Sequence, residues 1–271
     1  MTTNQERQWR FAGIADGYDR YMAPMLSTWT PDLFDQTNIG SGDDVLDVAC
    51  GTGIVARHAA DKVTPDGSVS GIDVDLAMVE VARAKGRTLP VPFTCYQADA
   101  TDLPFDDESF DVVFCQQGLQ FISQRQAAVD QLYRVLKPGR TMALSVWGPL
   151  QHTPGYQVLG EAMAMHIGEE PATANAVPFA LHDHDELAGL VDSAGFGDVD
   201  VKPVTREVRF PSAREFFRRE VVSWLAGAVG QPDEAQREAV IAELERGLEP
   251  HIDSDGLAFP MEALIVSGRK P

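Results

Sequence analysis

The run Asp47-Val48-Ala49-Cys50-Gly51-Thr52-Gly53 has the clearest chemical character in the chain. Glycines let a backbone pass close to a ligand and take turn conformations closed to other residues. Here Gly51 and Gly53 follow Asp44 to Ala49, a short apolar-rich run of the kind that forms a buried strand. With Ala56 they also fit the G-x-G-x-x-G/A pattern of dinucleotide loops, so the loop alone leaves an NAD-type ligand open. Asp47 argues against that ligand, because a dinucleotide fold ordinarily has an apolar residue there and a carboxylate inside a strand is costly without partners. A second acid, Asp73, lies 22 residues after Gly51 at the end of the next apolar run. A carboxylate so placed accepts hydrogen bonds from both hydroxyls of a ribose, a property shared with NAD enzymes.

The elements that must position these residues alternate regularly. Asp44 to Ala49, Ser68 to Ile72, Pro92 to Gln97, Phe110 to Cys115 and Arg140 to Trp147 are predicted strands. Ile54 to Asp61, Leu76 to Lys85 and Gln124 to Leu136 are predicted helices. Beyond Trp147 the pattern loosens into an amphipathic stretch from Tyr156 to Met165 and a Pro/Ala-rich linker from Glu169 to Pro178. A helix from Asp183 to Ser193, a strand from Val199 to Phe210, helical stretches at Ala213 to Ala228 and Glu234 to Leu248, and a last strand at Glu262 to Gly268 follow. Seven strands interleaved with helices predict an α/β fold: a mainly parallel sheet, helices on both faces and a ligand at the carboxyl ends of the strands.

Composition narrows the function. Of 271 residues, 44% are hydrophobic and 23% charged, as in ordinary globular proteins. The formal charge of −19 repels phosphate backbones and anionic lipid, so neither nucleic acid nor a membrane is an expected partner. Cys50, Cys95 and Cys115 match no zinc or paired redox spacing and are expected to act as small apolar fillers, with no metal site. The start of the chain is polar and no run reaches membrane-spanning length, which predicts a soluble protein of the cytoplasm.

Asp47-x-x-x-Gly51-x-Gly53 resembles the first motif of the class I S-adenosylmethionine-dependent methyltransferases. Asp99-Ala100 followed by Leu103-Pro104-Phe105 is similar to a second motif of that family, and the segments Phe110 to Phe121 and Arg134 to Arg140 match it in order and distance. Phe11 to Tyr21 resembles the Ala-x-x-Tyr-Asp lid element of the ubiquinone and menaquinone C-methyltransferase group. The resemblance implies a Rossmann-like fold and S-adenosyl-L-methionine as cofactor. It implies that Asp47 braces the loop of Gly51, Thr52 and Gly53, and that the Ala49 and Gln116 carbonyls accept from the donor's amino group. Asp73 would hold the ribose, Asp99 the adenine amino group and the Ala100 N–H the ring, with Val74 and Met78 packed on the adenine face and Tyr18 covering the donor. It covers about Arg10 to Trp147 well but not Gln151 to Pro178 or Ala213 to Pro260. Within one methyltransferase domain over 1–271, these regions correspond to expected helical insertions at about 149–182 and 211–258 that form a lid over an acceptor pocket.

Methyl transfer from a sulfonium is an in-line displacement, so alignment and exclusion of water are the main tasks and no protein nucleophile is required. A small-molecule acceptor is expected. His152, His166, His182 and His184 are candidate general bases beside the first insertion, and Trp147 is a candidate wall of the acceptor pocket. Two alternatives remain open: a donor-binding regulator without turnover, and an NAD-dependent dehydrogenase on the same loop.

Overall fold

The computed structural model describes residues 15–225, 230 and 232–271; Phe11 to Ile14 of the lid element and Ala226 to Ala228 of a predicted helix lie outside them. The strands are β1 (Asp44–Val48), β2 (Ser68–Asp73), β3 (Phe93–Gln97), β4 (Phe110–Gln116), β5 (Leu136–Trp147), β6 (Gly197–Phe210), β7 (Ile252–Asp253) and β8 (Gly256–Arg269). They form one sheet in the order β3-β2-β1-β4-β5-β8-β6, with the short β7 paired to β8. Strands β1 to β5 pair in parallel, whereas β8 runs antiparallel to β5, β6 and β7. The expected seven strands are all present, and β7 is an eighth.

Side-chain alternation explains the layers, because successive residues of a strand point to opposite faces. Val45, Val112, Phe114 and Ala143 enter the core beneath helix Ile54–Val63, together with Val55, Ala59 and Val63. Their neighbours Leu46, Val113 and Leu144 enter the opposite core, with Val129, Leu132 and Val135 of helix Arg125–Val135. The helix Leu76–Gly86 is capped by Asp75, whose carboxylate accepts the Ala77 N–H at 2.8 Å.

Two expectations change. Glu169 to Pro178 is not a linker but a helix, Glu169–Ala176, followed by a turn of tighter helix, Val177–Phe179. Pro171 falls in the first turn, where its missing N–H has no helical acceptor to lose, and the residues after it form helix well enough. Strand β8 starts six residues before its expected start at Glu262, and Pro260 sits inside it. Pro260 lies beyond Ala263, the last residue paired with β5, so that side of the strand has no ladder for it to break.

Candidate active site

The carboxyl ends of β1, β2 and β4 meet at one cavity of about 590 Å³. That volume is ordinary for a small-molecule site. At the tip of β1 the chain takes unusual conformations, with Ala49 at φ 55, Gly51 at φ 53 and Gly53 at φ 81. Positive φ is natural for the glycines; at Ala49 it is strain of the sort concentrated at functional sites. Gly51 and Ala49 line the cavity. A Cβ at Gly51 would meet the Tyr18 ring at 3.4 Å, so the tyrosine lies directly over the loop.

Asp73 joins the two strand tips. Its Oδ2 accepts the Gly51 N–H at 2.8 Å and its Oδ1 accepts the Asp75 N–H at 2.9 Å. Each carboxylate oxygen has capacity for a further hydrogen bond, and Asp73 lines the cavity. Burial raises its pKa, and the N–H donors of Asp75 and Gly51 partly offset the rise.

Asp47 is buried behind the loop and does not line the cavity; its Oδ2 accepts the Ala56 N–H at 3.1 Å, in the first turn of helix Ile54–Val63. Burial pushes it up to about 7, opposed by the Ala56 N–H, reinforced by the Asp73 charge and eased by Arg57. A carboxylate held at that cost supplies negative potential close to the loop, which suits a cationic ligand. Burial first, then the charges of Asp73 and Asp47, raise the Tyr18 phenol and keep it protonated.

Of the remaining sequence candidates, Val74, Met78 and Gln116 line the cavity. The Gln116 side chain is fixed by the Thr30 hydroxyl at 3.1 Å and by its own bond to the Leu26 carbonyl at 2.9 Å, which ties β4 to the N-terminal helical segment. Thr52 and Gly53 shape the loop without lining the cavity: the Thr52 carbonyl accepts from Arg57 at 2.6 Å, and Gly53 stands at the start of the helix. Asp99 is exposed, its Oδ1 accepting both the N–H and the hydroxyl of Thr101 at 2.8 Å, and Ala100 is buried beside it; neither lines the cavity.

The rest of the lining is mostly aromatic and apolar, with Gln117, Ser123 and Gln124 as its polar members. Trp147, a sequence candidate, stands at the end of β5 with its ring edge-on to Trp29 at 5.1 Å. Phe121, Tyr156, Phe179 and Trp224 complete this wall, with Met22 and Leu26 from the N-terminal segment. None of the four candidate histidines lines it: His152 Nδ1 lies 2.9 Å from Glu262, His182 Nδ1 lies 2.7 Å from the Phe179 carbonyl, and His166 faces Glu243 at 3.7 Å. Sequence reasoning missed Tyr156, Phe179 and Trp224, which carry no motif and reach the cavity only through tertiary packing. It also missed Asp19, whose ion pair with Lys85 and contact with Arg57 at 3.9 Å anchor the Tyr18 segment over the loop; its place after Tyr18 in the lid motif was the available signal.

Fold, glycine loop and strand-tip carboxylates define an S-adenosylmethionine-dependent methyltransferase, and comparison with known proteins agrees. Residues 45–139 match the methyltransferase domain family model. The chain is 30% identical over 210 residues to the ubiquinone/menaquinone biosynthesis C-methyltransferase UbiE of Neisseria meningitidis, covering 70% of this chain and 83% of that one. It is 33% identical over 192 residues to the O-methyltransferase cnsE of Penicillium expansum, covering 70% of this chain and 64% of that one. A solved putative methyltransferase from Bacillus halodurans superposes with a TM-score of 0.60 at 20% identity, covering 90% of this chain and 99% of that one. The chain belongs to the class I S-adenosylmethionine-dependent methyltransferases, in the ubiquinone/menaquinone C-methyltransferase-like group. Its cofactor is S-adenosylmethionine. Among the described residues no helix is long and apolar enough to cross a membrane.

Proposed function

We propose that this enzyme methylates a small, uncharged, largely apolar molecule carrying a ring, at carbon or oxygen, inside the cavity below Tyr18 and Trp224. The observation that carries the reading is the cavity's lining: beside the strand-tip groups of Gly51 and Asp73 it holds Trp147, Tyr156, Phe179 and Trp224, and among the described residues Asp73 is its only charged side chain. Bound S-adenosylmethionine supplies an electrophilic methyl group on a cationic sulfur.

The rest is the work of the chain. Asp73 accepts from the ribose hydroxyls while holding the loop through the Gly51 N–H. The Ala49 and Gln116 carbonyls accept from the donor's amino group, Asp47 supplies negative potential behind the loop, and Gly53 and Thr52 keep the loop's shape. Val74 and Met78 cover the adenine, Asp99 and the Ala100 N–H turn to it on binding, and Tyr18 closes over the donor. The helical insertions at about 149–182 and 211–258, within a single domain, contribute Tyr156, Phe179 and Trp224 to a lid that excludes water and aligns the acceptor. The charge of −19 supports a small-molecule acceptor over nucleic acid.

The test is production of S-adenosylhomocysteine, followed by mass spectrometry, with a panel of neutral quinols and phenols, anionic metabolites and nucleic acids. Turnover with the neutral ring compounds is expected; turnover confined to the charged or polymeric acceptors contradicts the proposal.

A further inference from the structure

Behind the aromatic wall sits a carboxylate that the reading of the cavity as a methyl-transfer site leaves without a role. Glu220 is fully buried, at 0% exposure, and ends the helix Ala213–Glu220. Its Oε2 accepts the Trp224 indole N–H at 2.5 Å. Its Oε1 and the Tyr156 hydroxyl are buried without a hydrogen-bond partner among the described residues, yet the two residues are near enough for the Glu220 charge to add to burial in raising the Tyr156 phenol. The Tyr156 and Trp224 rings line the cavity; Glu220 does not. One hidden carboxylate therefore serves two walls of the pocket from behind.

Packing alone gives no reason for it. An apolar side chain of similar volume fills such a space at least as well, whereas a buried carboxylate carries a desolvation penalty. Phe216, one turn earlier on the same helix, shows the ordinary solution: it is fully buried, with its ring 5.4 Å from that of Tyr156.

We propose that Glu220 is a positioning residue for the acceptor: acting through the Trp224 indole N–H and the Tyr156 hydroxyl, it sets the angle of the two rings against which the acceptor lies. This inference rests on the proposed methyl-transfer site.

Burial pushes Glu220 up to about 7, against the Trp224 indole N–H, the nearby Tyr156 hydroxyl and the charge of Arg219. The other charges on the neighbouring elements are paired among themselves: Glu238 with Arg214, Arg209 with Asp253, Arg218 and Arg219 with Glu215 and against the Tyr21 ring, and, on the Tyr156 helix, His166 faces Glu243 at 3.7 Å. The carboxylate form holds the indole N–H by a charge-assisted bond, and the neutral acid holds it less firmly. The rings are thus best ordered on the alkaline side of the transition.

The test uses the full chain saturated with S-adenosylhomocysteine and the neutral flat fluorophore N-phenyl-1-naphthylamine, titrated between about pH 6 and about pH 8. The wild type is expected to bind the fluorophore roughly 3- to 10-fold more tightly at the upper end. Glu220→Gln keeps an acceptor for the indole without a titrating charge, and its affinity is expected to be flat across the range. Trp224→Phe, which removes the N–H, should be flat as well, while calorimetry finds S-adenosylhomocysteine affinity within about twofold of wild type in both variants. A Glu220→Gln profile that still follows the wild type overturns the inference. Failure of the wild type to bind S-adenosylhomocysteine overturns the site reading, and the inference with it, and is recognised separately because calorimetry reports it without the fluorophore.

Discussion

The Asp73 carboxylate at the tip of β2 holds the Gly51 N–H at the tip of β1, Oδ2 to nitrogen 2.8 Å. The group expected to grip the donor's ribose is thus also the group that shapes the loop beneath the donor. Replacing it damages both functions. Asp73→Asn keeps one acceptor but sets an NH2 group against one of two backbone donors, and Asp73→Ala removes everything. S-adenosylhomocysteine should raise the melting temperature of the wild type, raise that of the Asn variant much less and leave that of the Ala variant unchanged. An equal rise in all three would show that Asp73 does not touch the donor.

Asp47 links the site to pH. Its folded pKa of about 7 lies above the unfolded carboxylate value, so between the two the folded protein binds more protons than the unfolded chain. Stability of the donor-free protein therefore falls as pH rises through that window and levels off above it, with Asp73 acting in the same direction. Asp47→Asn should flatten part of this slope and raise the melting temperature near about pH 8 by a few degrees, on the order of 1 kcal/mol, while weakening S-adenosylmethionine binding. Thermal melts across pH, with and without donor, check both signs.

Gly17 brings two parts of the roof together: a Cβ there would overlap the Val222 carbonyl oxygen. Its helical φ of −64 needs no glycine, so the requirement is one of space. Gly17→Ala should push the Tyr18 segment away from the Val221–Leu225 turn that bears Trp224. Turnover is expected to fall by about tenfold or more while global stability drops by only about 1 kcal/mol, since the core below is untouched. Turnover and denaturant unfolding measured on one preparation separate the two effects.

Asp111 offers a control remote from the cavity. It accepts the Asp44 N–H at 3.0 Å, Lys137 at 2.8 Å and Arg140 at 2.5 Å. Burial alone would raise its pKa, but these donors and the charges of Lys137 and Arg140 outweigh it and hold the carboxyl below its ordinary value. The stabilisation is present above the unfolded carboxylate pKa and is lost as pH falls through the lower folded one. Asp111→Ala should cost about 1 to 3 kcal/mol at neutral pH, less in acid, and leave donor affinity unchanged. Denaturation at both pH values, with one donor titration, decides this.

The half of the site built by local sequence was legible. Strands β1, β2 and β3 alternate with helices over short turns, so Asp47, Gly51 and Asp73 fall at strand tips that hydrophobic pattern and glycine spacing disclose. The acceptor side was not legible, because its wall is assembled over long separations: Tyr156, Phe179 and Trp224 sit on three helical segments that share no motif or spacing in the sequence. Asp99 shows the converse, a motif residue that local chemistry turns outward, since a carboxylate two residues before a threonine readily closes on that residue's own N–H and hydroxyl. Helix Glu169–Ala176 was obscured by Pro171, whose meaning depends on which turn of a helix it occupies.

In the proposed site the loop at Gly51 and the carboxylate of Asp73 bind a sulfonium nucleoside. Calorimetric titration of S-adenosylhomocysteine, with NADH in parallel, into the wild type and Asp73→Asn tests it most directly. Saturable heat from S-adenosylhomocysteine in the wild type, at least tenfold weaker affinity in a variant with unchanged circular dichroism, and no heat from NADH is the predicted result. Heat from NADH alone, or equal S-adenosylhomocysteine affinity in both proteins, would contradict it.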